Sequence, residues 1–476
     1  MRNPILTFFL AFILTAAAHA ATPAQKLNVV LILADDLGWT DLACFGSDLH
    51  ETPALDQLAR DGMTFTQNYS ACTVCSPTRS ALLTGKYPAR LHVTDWIPGH
   101  RPDNPKLLVP DWTKYLPLEE TTLAEVFKAA GYATATIGKW HLGDEEHYPE
   151  KQGFDLNVAG THNGAIRTFF APWNISTLTP EGNAGDYITD RLSEEAAQFI
   201  ERAKDRPFFL YLPHYAVHTP IQGRADLVAK YEKKIRAGLN HANATYAAMT
   251  ESLDMAIGRL RQKLAELKLA DRTIIVFTSD NGGRFPTTSN VPLRSGKGSA
   301  YEGGVRVPLI VYWPGVTKPG SVSDAPVITM DLFPTIVEMA GVPLGGAKPL
   351  DGVSITSLLR GGTKPARDTL YWHYPHHHNN QHLGGPTPYG AIRSGDFKLV
   401  EFFNDMHVEL YNIRADIGEK IDLAVSQPGK VEELSTRLHA WRKEVGAQMP
   451  RPNPNYDPRR PEYTRPPPKA PKKAGG

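Results

Sequence analysis

Residues 28–36 read Asn-Val-Val-Leu-Ile-Leu-Ala-Asp-Asp, and this stretch decides the fold class. A strand with one face in water alternates apolar and polar residues. Asn28–Ala34 does not alternate, so both of its faces need cover. Ala133–Ile137 (ATATI), 207–212 (PFFLYL), 273–278 (TIIVFT) and 308–313 (PLIVYW), short runs rich in β-branched residues, are likewise read as strands buried on both faces. Between these runs lie helical patterns near Pro53–Asp61, 122–130, 186–203 and 240–269. Strands alternating with helices predict an α/β domain whose mostly parallel mixed sheet is covered by helices on both sides.

Working outward, the pattern changes after residue 360. Short strand signals at 369–372, 390–393, 397–403 and 408–411 precede a helical run at 430–445. They predict a smaller antiparallel sheet with one packing helix over 361–449, after a large α/β domain over 21–360. Residues 450–476 hold nine prolines and seven Lys or Arg against two acids, and are read as a disordered or surface-hugging tail. At the other end, Arg2, an apolar run over 5–18 and the small-x-small triplet Ala18-His19-Ala20 form the three parts of a secretory signal peptide over 1–20. That run is shorter than the ~20 residues a spanning helix needs. An exported protein, periplasmic or secreted and without membrane insertion after cleavage, is expected.

The whole chain has 476 residues with 51 basic against 50 acidic side chains, a formal net charge of +1. This excludes nucleic-acid binding through bulk charge. With 41% apolar and 21% charged residues, it is no disordered chain either. Three cysteines, Cys44, Cys72 and Cys75, cannot all pair. By count alone a Cys72–Cys75 or Cys44–Cys72 bridge with one thiol left over is the plainer reading.

Ligands of open α/β sheets bind beyond the carboxyl ends of the strands. Four of the five strand ends run into unusual polar chemistry: Asp35-Asp36, then Gly138-Lys139-Trp140-His141, then His214 and His218-Thr219-Pro220, and finally Ser279-Asp280-Asn281-Gly282-Gly283. One such end is commonly a cap or turn; four converging ends point to a site. Asp35, Asp36, Asp280 and Asn281 offer only oxygen, a ligand set for Ca²⁺ or Mg²⁺, with Ca²⁺ favoured because it tolerates several protein carboxylates. Lys139, His141, His218 and Lys297 would surround the same point with cations and proton donors, as a tetrahedral oxyanion requires.

The nucleophile lies in Cys75-Ser76-Pro77-Thr78-Arg79, continued by Ser80-Ala81-Leu82-Leu83-Thr84-Gly85. Here the chain resembles the formylglycine-dependent sulfatases of the alkaline phosphatase superfamily, whose signature is Cys-x-Pro-x-Arg with this continuation. The resemblance extends to Asp35-Asp36, to residues 138–141, to His218 and Pro220, to Asp280-Asn281-Gly282, and to Gly296-Lys297-Gly298 before Tyr301-Glu302-Gly303-Gly304, all in family order. It implies that a formylglycine-generating enzyme oxidises Cys75 during export to Cα-formylglycine. Of the two hydroxyls of its hydrate, one attacks sulfur and the other expels sulfate by re-forming the aldehyde. It further implies Asp35, Asp36, Asp280 and Asn281, together with the residue at position 75, as metal ligands. Arg79 and Lys139 would hold the diol, His141 would be the base, and His218 and Lys297 would bind sulfate and protonate the leaving oxygen, with His218 the favoured acid.

Two weaker signals concern substrate. His214 is either a sugar contact or a partly buried histidine bonded to backbone. The run Trp372 to Asn380, containing His373, His376 and His377 with His382 beyond, is either a solvated tract or a sugar-facing loop. The stretches 214–222, 390–403 and 446–453 look like bacterial polysaccharide sulfatases, so the expected substrate is a sulfated saccharide, with exo-action on galactose or N-acetylgalactosamine 4-sulfate. The competing readings are a phosphodiester or phosphonate monoester hydrolase of the same superfamily, and a carbohydrate-binding relic, which would show gaps in the catalytic set.

Overall fold

The computed structural model describes residues 26–346, 349–363, 367–378 and 387–463. The predicted signal segment, His382 and the last thirteen residues of the tail lie outside them. Eight strands form the main sheet: β1 (Asn28–Ala34), β2 (Met63–Phe65), β3 (Ala133–Ile137), β4 (Leu156–Val158), β5 (Phe208–Pro213), β6 (Thr273–Ser279), β7 (Leu309–Tyr312) and β8 (Ser321–Ser323), in the order β8-β2-β7-β6-β1-β5-β3-β4. β1 lies between β5 and β6 and is parallel to both, with Val29 opposite Phe209 and Ile274. Only β7 runs against its neighbours β6 and β2.

Packing on both faces explains the lack of alternation in β1. Val30, Ile32 and Ala34 enter one core, with Leu192 of α4 (Ile188–Ala203) and Ile257 of α5 (Ala244–Glu266). Val29, Leu31 and Leu33 enter another, with Leu82 of α2 (Cys75–Thr84) and Phe127 of α3 (Leu123–Ala129). Each fully buried side chain of this size contributes ~1.5–3 kcal/mol, and a polar residue on either face would forfeit it. α1 (Pro53–Asp61) and α3 follow their sequence signals, proline in the first turn of the one and a Thr122–Glu125 capping box on the other. α2 carried no helical pattern because all ten of its residues are buried, leaving no polar face to mark a period. β2, β4 and β8 are three residues each, too short for alternation to show.

The second sheet is an antiparallel meander of β9 (Thr369–Tyr374), β10 (Tyr389–Ser394), β11 (Phe397–Phe402) and β12 (Val408–Asn412), packed by Leu434, Leu438 and Trp441 of α6 (Pro428–Glu444). Its core also takes in Tyr69 and Ala81 from the larger domain. A buried ion network crosses between them: Lys398 Nζ lies 2.9 Å from Glu302 and 3.1 Å from Glu419. Glu302 opens a short helix five residues after Lys297, so this contact braces a site loop. Lys398→Met leaves the buried Glu419 carboxylate unbalanced beside Glu302, which keeps Arg306 at 3.3 Å, and a loss of ~3–5 kcal/mol in urea unfolding is expected. Without the ammonium Glu419, already raised to about 7 by burial and the Glu302 charge, titrates higher still, while Arg306 and Arg393 go on holding Glu302 down. Protons therefore relieve the repulsion, and the loss grows as pH rises from 5 to 8. A loss that is flat with pH would mean that the carboxylates are not the cause.

Residues 451 and 452 pair with 108 and 107, and the Tyr463 hydroxyl donates to the His377 carbonyl; as far as it is described, the tail hugs the surface. Among the described residues, no helix is long and apolar enough to cross a membrane.

Candidate active site

The carboxyl ends of β1, β3, β5 and β6 open on one side of the sheet, as parallel neighbours must. The turn after β1 places Asp36 at φ 62°, and the turn after β3 places His141 at φ 59°. This left-handed region costs a non-glycine residue about 1 kcal/mol or more. Backbone hydrogen bonds hold both: the Asp36 N–H donates to Asp280 Oδ1 and the His141 N–H to the Thr161 carbonyl. Gly138 is required ahead of Lys139, because a Cβ there would lie 1.9 Å from the Pro213 oxygen. Gly164 is required beside His141, where a Cβ would sit 2.3 Å from the ring.

Three carboxylates and three cations interlock beneath the site. Arg79, one helical turn beyond Cys75, donates to Asp280 Oδ2 at 2.8 and 3.1 Å and to the Lys139 carbonyl at 3.0 Å. Lys139 Nζ donates to Asp35 Oδ2 at 2.7 Å, and Lys297 Nζ to Asp36 Oδ1 at 2.5 Å. Burial alone would raise Asp36, but Lys297, His218 and Asn281 outweigh it and hold the carboxyl well below its usual range. Asp280 goes the other way, pushed up to about 6 by burial and the Asp35 charge. Burial also raises the Cys75 thiol, whose Sγ lies 3.8 Å from Lys297 Nζ. The thiol is protonated and inert as it stands.

Asp35 Oδ1, Asp36 Oδ2 and Asn281 Oδ1 are buried with no hydrogen-bond donor. Three orphaned oxygens in one place cost several kcal/mol unless a cation meets them. Ligating atoms of Asp35, Asp36, Cys75 and His218 lie within 4.8 Å of one another. The residues present therefore fit a hard divalent cation. Asp280 is more committed, with Oδ2 on Arg79 and Oδ1 on the Asp36 amide at 3.2 Å.

The site opens into a cavity of about 720 Å³ lined by Cys75, His141, His218 and Lys297. The His141 Nε2–H donates to the Ile97 carbonyl at 2.5 Å, which leaves the lone pair on Nδ1, a buried atom without a partner. The His218 Nδ1–H donates to the Thr219 carbonyl, and its Nε2 lies 3.7 Å from Asp36 Oδ2. Burial, reinforced by Lys297 and Lys139 and opposed by Asp36, lowers His218 to about 3.

The histidines expected to face substrate sit elsewhere. His214 is fully buried at the end of β5 with both ring nitrogens unbonded, and does not line the cavity. Neither do His373, His376 and His377, whose Nε2 atoms engage the Gln448 carbonyl, Thr94 Oγ1 and the Leu107 carbonyl, each at 2.8 Å. His376 and His377 fasten the smaller domain to loop 92–108, the latter also through its carbonyl to Tyr463 of the tail, while His373 bonds within the domain. The cavity instead takes His378, the next residue of the same run, with His100, Lys114 and Arg284. Arg284 directly follows the Asp280–Gly283 strand end and could have been found by extending it; the loop bearing His100 and Lys114 has no periodicity to mark it.

The family model of the sulfatases matches residues 27–342, and that for N-sulphoglucosamine sulphohydrolase, C-terminal, matches residues 296–446. A sulfatase of Formosa agariphila is 34% identical, with 88% of this chain and 89% of that protein covered. Arylsulfatase A of Homo sapiens is 35% identical over 82% of this chain and 78% of its own. The crystal structure of Ps i-CgsB superposes with a TM-score of 0.77 at 31% identity, covering 89% of this chain and 94% of that one; its complex with k-i-k-neocarrahexaose gives 0.76. Matched by the sulfatase family model over residues 27–342 and by the C-terminal model over residues 296–446, the chain belongs to the sulfatases of the alkaline phosphatase superfamily and is a sulfuric ester hydrolase.

Proposed function

We propose that this sulfatase removes sulfate from a saccharide, exo-acting on galactose or N-acetylgalactosamine 4-sulfate, and that residue 75 works as formylglycine. The observation that carries the chemistry is the convergence of Cys75, His141, His218 and Lys297 on one cavity above three unpaired buried oxygens. The saccharide reading is supported by the Ps i-CgsB complex with k-i-k-neocarrahexaose. The cavity, about 720 Å³, is also the size of a small-ligand site, typically ~300–1,000 Å³. Export through residues 1–20 would bring the enzyme to such a substrate.

Asp35, Asp36, Asp280 and Asn281 would hold a calcium ion, which supplies positive charge for one sulfate oxygen. The hydrated aldehyde at position 75 supplies two hydroxyls on one carbon, one to attack sulfur and one to expel sulfate. The rest is the work of the chain itself. Arg79 and Lys139, fully buried, hold Asp280 and Asp35 in place. Lys297, with its ammonium secured by Asp36, binds the monoanionic sulfate. His141 accepts a proton at Nδ1 when sulfate leaves. His218 presents Nε2 to the leaving oxygen; its surroundings keep it neutral until the anionic ester raises its proton affinity.

Asp36→Ala is expected to lose the single equivalent of calcium by elemental analysis while keeping its circular dichroism. Stoichiometric zinc in the wild-type site, or calcium retained by the variant, would count against the assignment. Substrate is tested with a panel of defined sulfated mono- and disaccharides beside an aryl sulfate and an aryl phosphodiester. Release of terminal 4-sulfate is expected. Turnover of only other positions overturns the linkage, and preference for the phosphodiester overturns the substrate class.

A further inference from the structure

The cavity holds more positive charge than the reaction uses. Among the described residues that line it, Lys114, Arg284 and Lys297 face a single acid, Asp144, although the whole chain balances 51 basic side chains with 50 acidic ones. Lys297 is tied to Asp36 at 2.5 Å, and Asp144, 70% exposed, is turned to His147 at 2.8 Å. Lys114 and Arg284 have no ion pair and no side-chain hydrogen bond among the described residues; the Lys114 ammonium stands 5.8 Å from the Trp112 ring. A cleft lined by one sign of charge concentrates the opposite sign. The loop that carries Arg284 is fixed. Asn290, 3% exposed, accepts from the Gly283 amide at 3.2 Å and donates to the Gly283 and Ser295 carbonyls at 3.0 Å each. The Gly283 carbonyl also accepts from the Lys297 amide at 3.1 Å, so Arg284 begins at the backbone that presents Lys297. Beside them His378 rests on Gly298, where a Cβ would lie 2.7 Å from the ring, and packs on His100 at 4.6 Å. Burial, reinforced by His100, lowers His378 to about 3, so the unclaimed charge on this wall is that of Arg284.

We propose that Arg284 and Lys114 form a second anion subsite in the outer part of the cavity, for an acidic group, sulfate or carboxylate, on the sugar next to the one that loses its sulfate. Depth separates the two subsites: Cys75 and His141 are buried, whereas Arg284 is half-buried and Lys114 exposed. Tyr115 supplies the reason for a second sugar ring. It follows Lys114, lies against Gly143 of the lining, stacks on His147 at 4.0 Å and stays 42% exposed. A backed aromatic ring beside a cation suits a sugar that carries an acid. The planar guanidinium pairs with two oxygens of either oxyanion at once. The subsite rests on the saccharide reading and narrows it to substrates bearing two acids. The rival is general attraction, which follows the number of charges wherever they lie on the ligand.

Disaccharides sharing one terminal sulfated sugar distinguish the two. The neighbouring sugar is neutral, a uronic acid or sulfated; a fourth compound carries its second sulfate on the terminal ring itself. With an acid on the neighbour, kcat/KM is expected to rise ~10–100-fold, mainly through KM, as charge-assisted hydrogen bonds allow. The gain should shrink at higher salt, fall in Arg284→Gln and in Lys114→Gln, and vanish in the double variant, while Arg284→Lys keeps part of it. Because the gain is a ratio measured within one protein, a general loss of activity or folding cancels. A gain from sulfate alone or from carboxylate alone supports the subsite and names its acid. An equal gain from a sulfate on the terminal ring, or a gain untouched in the double variant, would overturn the subsite and leave the saccharide reading standing. Turnover of an aryl sulfate with none of any disaccharide would overturn that reading, and the subsite with it.

Discussion

Cys75→Ala is expected to abolish turnover of every sulfate ester, with kcat falling on the order of 10⁴–10⁶-fold, as when a covalent nucleophile is removed elsewhere. Nothing else lining the cavity can replace it. Lys297 is bound to Asp36, and the imidazoles of His141 and His218 bring no second hydroxyl with which to expel sulfate. Cys75→Ser should be nearly as inactive, since one hydroxyl can attack sulfur but offers no second hydroxyl to expel it. The thiol itself, protonated by burial, is no substitute. Active protein should therefore show the peptide bearing residue 75 lighter by about 18 Da, oxygen having replaced SH and H. A Cys72–Cys75 disulfide in fully active protein would sink the assignment. Both thiols are free in the structure.

The second large effect depends on the leaving group. With His218→Ala, a sugar sulfate should lose ~10²–10⁴-fold in kcat/KM, the usual worth of a general acid, while an activated aryl sulfate loses little because its phenolate leaves unaided. The structure sharpens this expectation over the rival, Lys297. Burial works against the Lys297 charge, yet Asp36 and its neighbours push the pKa above the ordinary lysine value, making it a reluctant donor. Lys297→Ala should raise KM for both substrates alike. His141→Ala should instead give a burst of alcohol and then slow turnover, since its unpaired Nδ1 serves the release of sulfate. Equal losses by His218→Ala on both substrates would reduce His218 to a binding group and leave the sulfatase chemistry standing.

The range of the forces involved sets how much of the molecule is legible in its sequence. A strand covered on both faces is mostly apolar, so β1, β5, β6 and β7 showed as near-continuous runs, and β3, with its two threonines buried, as a short β-branched one. The end of a parallel strand is where ligands go, so Asp35, Asp36, His141, His218, Asp280 and Asn281 could be collected from the residues just beyond each run. Cys75 and Arg79 were found through their resemblance to a family signature, since a wholly buried α2 displays no period. The amino-acid sequence alone thus determined the mostly parallel sheet and the smaller antiparallel one beyond it, and offered the residues that gather at the candidate site. Only the tertiary structure decided their partners. Arg79 and Asp280 are 201 residues apart, and Lys297 and Asp36 are 261 apart; no local pattern encodes such pairs. It decided that His378 faces the cavity while His376 and His377 turn to Thr94 and Leu107. It also placed Lys114 and Arg284 on one cavity, because their loops meet there only after the sheet has closed. Periodicity records which face of an element is dry, a local property; which charge lies opposite which is set by packing, and packing belongs to the whole chain.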